Sequence, residues 1–243
     1  MKLIWSLFDG SGLAGHELAK QGHKVMCFNF DGADHGDYEK YNARVEHPNI
    51  EYVNVFIDET FERDAIAGVY GKSDFIMAFP PCTDLAVSGA RHFASKRERD
   101  PLFQEKAVAT ARIAANIGDS LGVTYIIENP VSALSSAWRK PNHSFNPWEY
   151  GGYLPENDSH PWFPMYIAPR DAYPKKTCLW TSDDFVMPER KPVSLPDGYS
   201  AQQNKLGGKS AKTKLIRSLY PRGFFKAIAD SIFLLKLDRC DLA

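Results

Sequence analysis

The sequence predicts an α/β fold: a doubly wound, mostly parallel sheet with a small irregular annex. Three observations predict it. Short apolar runs alternate with segments of helical spacing as far as residue 130. Each run is closed by residues that leave a sheet, namely glycine, an acid or proline. From Ser136 to Pro196 that alternation stops, and proline and aromatic residues dominate.

The elements follow in order. Leu3 to Phe8 is an apolar strand, turned by Asp9-Gly10-Ser11-Gly12 into a helix over Leu13–Gln21 that Gly22 ends. His23–Phe30 is a second strand ending at Asp31, and Glu51–Ile57 is a third. Asp74–Phe79 is a fourth, bounded by Pro80-Pro81-Cys82; two prolines without N–H groups cannot extend a ladder. Gln104–Leu121 has helical periodicity and stops at Gly122, and Val123–Ile127 is a fifth strand running into Glu128-Asn129-Pro130. Strand, helix, strand at this spacing implies right-handed crossovers and helices on both faces. Such sheets bind ligands beyond the carboxyl ends of their strands. Further on, Thr177–Trp180 reads as a strand of the annex, Gly207–Arg217 as a basic loop and Phe224–Leu237 as a helix. The division expected is a core over 1–135, an annex over 136–204, and a basic loop with a returning helix over 205–243.

Composition narrows the classes. The 243 residues carry a net charge of −1, so any basic surface for nucleic acid must be local. The four cysteines lack CxxC spacing, which argues against a zinc ribbon or disulfide framework and for a reducing compartment. No apolar stretch approaches a membrane span. A cytoplasmic, monomeric protein is expected. His143, His160 and Cys178 are too irregularly spaced to suggest a metal site.

Cys82 is the residue that stands out. A thiol on a stiff turn at a strand end is placed for nucleophilic work, whereas a lone cysteine is more often a small core hydrophobe. The paired prolines reverse that preference. Arg91 and the cluster Lys96-Arg97-Arg99, just downstream, are candidates to raise its thiolate fraction. Glu128 at the next strand end is either an acid poised to hydrogen-bond a base edge and donate a proton, or a capping acid in a loop. The glycine turn favours close approach to a ligand, and Asp31 is suited to a ribose hydroxyl; tight turns and an N-cap acid explain both as well.

Phe8-Asp9-Gly10-Ser11-Gly12, Pro80-Pro81-Cys82 with Ser88-Gly89, and Glu128-Asn129-Pro130 occur in the order and spacing of the DNA cytosine-5 methyltransferases. Over roughly its first 130 residues the chain resembles a short phage or bacterial member of that family. The resemblance implies a Rossmann-like fold and S-adenosylmethionine bound by Phe8, Asp9, Gly10, Ser11, Gly12 and Pro80, with Asp31 on the ribose and Asn54 near the adenine. It implies Cys82 as nucleophile and Glu128 on cytosine N3. Pro81, Ser88, Arg91, Asn129, Pro130 and Lys176 are then expected against a DNA cytosine flipped from its duplex. Ser88–Asp100 is expected to be a mobile loop closing over the base. The family's Gln-x-Arg-x-Arg motif is missing; Tyr173–Trp180 is expected in its place, with Lys175 and Lys176 for the arginines. The aromatic annex and Lys205, Lys209, Lys212, Lys214 and Arg217 are the candidates for DNA reading. Protection of DNA from restriction is a role the resemblance makes plausible. Competing readings are an RNA (tRNA) cytosine-5 methyltransferase, transfer of a larger group from a modified sulfonium, and a non-catalytic DNA- or cofactor-binding relic.

Overall fold

The computed structural model describes residues 1–30, 44–196, 206 and 210–233. Its strands are β1 (Leu3–Leu7), β2 (Lys24–Asn29), β3 (Ile50–Asn54), β4 (Phe75–Ala78), β5 (Tyr125–Pro130), β6 (His143–Phe145) and β7 (Thr177–Thr181). The helices are α1 (His16–Lys20), α2 (Glu59–Ile66), α3 (Phe93–Arg99), α4 (Phe103–Leu121), α5 (Leu134–Ala137), α6 (Ala211–Ser218) and α7 (Arg222–Ser231). All seven strands form one sheet in the order β3-β2-β1-β4-β5-β7-β6. The first five are parallel; β7 runs antiparallel to β5, and β6 antiparallel to β7. This is the doubly wound α/β fold the sequence predicts.

Alternation along the strands builds a core on each face. Trp5, Leu7, Phe28, Ile76 and Ile127 meet Phe61 of α2 and Ala111, Ala114 and Ile117 of α4 on one side. Ile4, Val25, Phe75, Met77 and Ile126 meet Leu18 of α1 and Phe224, Phe225 and Ile228 of α7 on the other. A third cluster brings Leu13 and Val45 together with Phe163, Ile167 and Tyr173 of the annex and Leu215, Ile216 and Leu219 from around α6. The annex and α6 are thereby packed beside the glycine turn.

A buried clasp holds the annex to α7. The Arg222 guanidinium donates to both Asp158 oxygens, at 2.9 and 2.7 Å, and to Asp171 at 3.3 Å, while the Gly223 N–H donates to Asp171 at 3.0 Å. The sheet itself crosses residue 135, because β6 and β7 of the annex extend it beyond β5.

Several element bounds differ from expectation for identifiable reasons. The helix expected over Leu13–Gln21 is confined to His16–Lys20, since the Leu13 N–H is used by Ser11 Oγ (3.2 Å) in the preceding turn. The third strand stops at Asn54, where its partner β2 also ends. The fifth strand continues through Glu128-Asn129-Pro130 because β7 pairs with it there. The segment expected as a loop over Ser88–Asp100 is a 3-10 turn, Val87–His92, followed by α3. The expected basic loop contains α6: Ser210 Oγ accepts the Thr213 N–H (3.2 Å), and Thr213, Leu215 and Ile216 turn inward.

Candidate active site

The carboxyl ends of β1 to β5 lie along one edge of the sheet. Because β7 is antiparallel, the residues that enter it, Lys175 and Lys176, reach the same edge beside Pro130.

At the end of β1, Asp9 organises the glycine turn from inside. One carboxylate oxygen accepts hydrogen bonds from the Ser11 N–H (2.9 Å), the Ser11 hydroxyl (2.9 Å) and the Gly12 N–H (2.8 Å). The other accepts from the Ser6 hydroxyl (2.8 Å). Burial pushes the Asp9 carboxyl up and these donors oppose it. Gly12 has φ +70°, and a Cβ there would lie 2.3 Å from the Tyr52 Oη. Phe8 also has positive φ, 60°. The carbonyls of this turn are held by Arg44 Nε, which donates to the Gly10 oxygen (3.0 Å), and by Tyr52, 3.0 Å from the Ser11 oxygen.

Beyond β2 and β3, Phe30 and Phe56 form an edge-to-face pair with centroids 5.3 Å apart, 40% and 60% exposed. Asn54 ends β3 in register with Asn29. A Cβ on Gly10 would come within 3.0 Å of Asn29 Nδ2, so the turn and the end of β2 sit in close contact. Asp31, expected on the ribose, lies outside the described residues, as do Lys205 and Lys209.

The ends of β4 and β5 are tied together. Pairing between them stops at Ala78 and Ile127. Beyond that point the Asn129 Nδ2 donates to the Pro80 carbonyl at 3.0 Å. The following segments are stitched in turn: Val87 N–H to the Val131 carbonyl (3.1 Å) and Ala133 N–H to the Leu85 carbonyl (2.9 Å). Pro80 is buried, while Pro81 and Cys82 are exposed at the mouth. Phe79 stacks on Tyr220 at 3.9 Å, bringing the stretch after α6 against the root of this turn.

Glu128 is the half-buried acid of the edge. Its carboxylate has no hydrogen-bond partner among the described residues, and burial raises its pKa against the pull of Lys175. The Cys82 thiol is likewise raised, first by desolvation and then by the Glu128 charge, and again Lys175 opposes the shift.

The expected cations downstream of Cys82 do other work. Lys96 pairs with Asp84 and donates to the Thr83 carbonyl, Arg97 donates to Gln104 (3.2 Å), and Arg91 and Ser88 are exposed on the 3-10 turn. The cation that lowers the Cys82 thiol is Lys175, from the annex. Lys176, singled out from sequence, is exposed and acts on Cys178 instead. Only strand register could have separated the two lysines. The Phe30–Phe56 pair and the Asn129–Pro80 tie also escape sequence reasoning, because both depend on which strand ends become neighbours. His160 uses Nδ1 to accept the Trp162 and Phe163 N–H groups (3.2 and 3.1 Å).

No protein-family profile matches the chain, and no curated protein matches it. Among solved structures it is similar to a crystal structure described as a proposed DNA modification methyltransferase encoded within a prophage, from E. coli, with 14% identity and a TM-score of 0.43. The match covers 81% of this chain and 56% of that one, so the chain spans little more than half of that protein's length. A likeness of that degree says nothing about chemistry. Among the described residues, no helix is long and apolar enough to cross a membrane.

Proposed function

We propose that this chain transfers a methyl group from S-adenosylmethionine to carbon 5 of cytosine in DNA, with the base turned out of the duplex toward Cys82 and Glu128. The observation that carries the reading is the joining of two strand ends through the 3.0 Å Asn129–Pro80 hydrogen bond. It leaves an exposed thiol beside a desolvated carboxylate without a hydrogen-bond partner among the described residues.

The neighbouring edge fits a nucleoside-bearing donor. Phe30 and Phe56 offer open aromatic surface for an adenine beside Asn54, and the backbone of Gly10-Ser11-Gly12 carries no side chain larger than a hydroxymethyl. S-adenosylmethionine, when bound, supplies an electrophilic methyl group. The rest falls to residues of this chain. The Cys82 thiolate bonds to carbon 6 of cytosine, and the ring's double-bond electrons move toward carbon 5. Glu128 holds the ring at N3 and, in its protonated form, donates there, which its raised pKa favours. Loss of the carbon-5 proton to a base then restores the double bond as the Cys82–carbon-6 bond breaks. Arg91, Arg97, Arg99, Lys214 and Arg217, all exposed, are the cations for DNA phosphates.

The test is labelled methyl incorporation into duplex DNA, single strands and tRNA, with covalent trapping on a 5-fluorocytosine duplex. Incorporation at duplex cytosine is expected, with a Cys82→Ser loss of at least about 10³-fold. Incorporation into tRNA alone moves the substrate to RNA, and undiminished transfer by Cys82→Ser rules out the covalent route.

A further inference from the structure

Residues 158–170 form a loop that is pinned at its base and exposed at its tip. The Arg170 N–H donates to Asp158 Oδ2 at 2.7 Å, and Arg222 clasps both Asp158 oxygens, so the two ends are tied to each other and to α7. His160 Nδ1 takes the Trp162 and Phe163 N–H groups on the way out. At the tip the Tyr166 and Ile167 N–H groups both donate to the Phe163 carbonyl (3.1 and 3.0 Å). Pro164-Met165 is thus the centre of a tight turn, with proline at its favoured second position. Phe163 and Ile167 are buried with Leu215 and Ile216 of α6, whereas Met165 is 83% exposed. Lys212 joins the tip to α6: its ammonium lies 4.6 Å from the Tyr166 ring centroid and 3.3 Å from the hydroxyl. From there α6 leads to the root of the Cys82 turn, where Tyr220 stacks on Phe79. Neither 159–170 nor 204–222 contains an acidic residue, while α6 carries Lys212, Lys214 and Arg217 in a chain of net charge −1.

We propose that this loop tip and α6 form a DNA-reading surface, α6 holding phosphates while Met165 contacts a thymine methyl group in the sequence flanking the target cytosine. This deepens the proposed reaction and rests on it for its substrate, but base preference can also be read from binding without a methyl donor. Duplex DNA is the partner that the charge pattern fits, because Lys214 and Arg217 are exposed and no acid lies in either segment. Phosphate contacts carry no sequence information, so the choice of base falls to what stands out beyond them. The side chains of Pro164 and Met165 offer no hydrogen-bond donor and no strong acceptor, which leaves them unable to read the polar base edges. The thymine methyl is the apolar feature that base edges present in the major groove. A methionine on a turn already fixed by its base, its proline and its buried flanks makes that contact with little further ordering.

The experiment is methylation, by the full chain, of a duplex library with randomised bases around a fixed cytosine, read by bisulfite sequencing. The same library is also selected by binding alone, without methyl donor. A thymine preference at one flanking position is expected in both readouts. Met165→Ala is expected to reduce that preference by about three- to tenfold, one buried methyl-sized group being worth roughly fourfold. Met165→Leu, still apolar, is expected to stay within about twofold of wild type. Lys212→Gln combined with Lys214→Gln is expected to weaken binding alike on every sequence and to flatten its salt dependence. A Met165→Ala profile superimposable on that of wild type, with circular dichroism unchanged, overturns the inference; so does binding confined to RNA, or no binding to any duplex. Methylated cytosines without a Met165-dependent preference leave the reaction standing and sink the reading surface. A Met165-dependent thymine preference in binding, without methyl transfer, sinks the reaction and keeps the surface.

Discussion

Two desolvated carboxylates on one sheet edge have opposite surroundings. Asp9, after β1, accepts hydrogen bonds from Ser6, Ser11 and Gly12, and so fixes the shape of the glycine turn. Glu128, in β5, has none among the described residues and feels only the charge of Lys175. Burial raises both. Asp9 is built into the framework of the turn by these bonds, whereas Glu128 is half-exposed at its strand end and carries none among the described residues.

Exchanging the roles gives the largest effects. Glu128→Gln is expected to lower methyl transfer by about 10²- to 10⁴-fold, measured as labelled methyl incorporated into duplex DNA; a loss below tenfold would place Glu128 with Asp9 as a structural acid. Asp9→Ala strips the turn of its internal acceptor. It should cost about 3 kcal/mol, or roughly 6–12 °C in a thermal melt, and an unchanged Tm would erase the contrast.

A subtler test uses stability alone. Burial holds the folded Glu128 pKa above its unfolded value, so the folded state binds this proton more tightly and stability falls as pH rises through that window. Glu128→Gln should therefore melt higher than wild type at pH 7, and the two curves should converge below about pH 4, where the glutamate is protonated folded or unfolded. Equal melting temperatures at pH 7 would mean that Glu128 is better satisfied than its surroundings indicate. The smallest effect concerns the rim. Removing both Lys214 and Arg217 should reduce the slope of log K against log salt for duplex binding by about 1.8, near 0.9 for each phosphate that is no longer neutralised. An unchanged slope would take α6 off the DNA-facing surface.

The two halves of the chain were unequally legible. In β1 to β5 the apolar runs, the breakers and the crossover rule predict where Gly10, Cys82 and Glu128 arrive, since parallel strands must end on one edge. The annex carries no such periodicity: β6 and β7 are 3 and 5 residues long, and their place in the sheet comes from pairing with β5. That pairing also drew Glu128-Asn129-Pro130 into the strand. The helix α6 was hidden in a lysine-rich stretch because its inward residues, Leu215 and Ile216, pack against distant partners such as Phe163 and Ile167.

By itself, then, the sequence determined the α/β class, the strands that share an edge and the thiol at the end of β4, because local periodicity and chain stereochemistry are written residue by residue. Tertiary structure alone decided that the charge of Lys175 and not Lys176 opposes the rise of the Cys82 pKa, that Asn129 ties the two strand ends, and that Asp9 is bonded into the glycine turn while Glu128 has no such bonds among the described residues. Those outcomes depend on register and on desolvation, and both are properties of segments brought together from far apart in the chain.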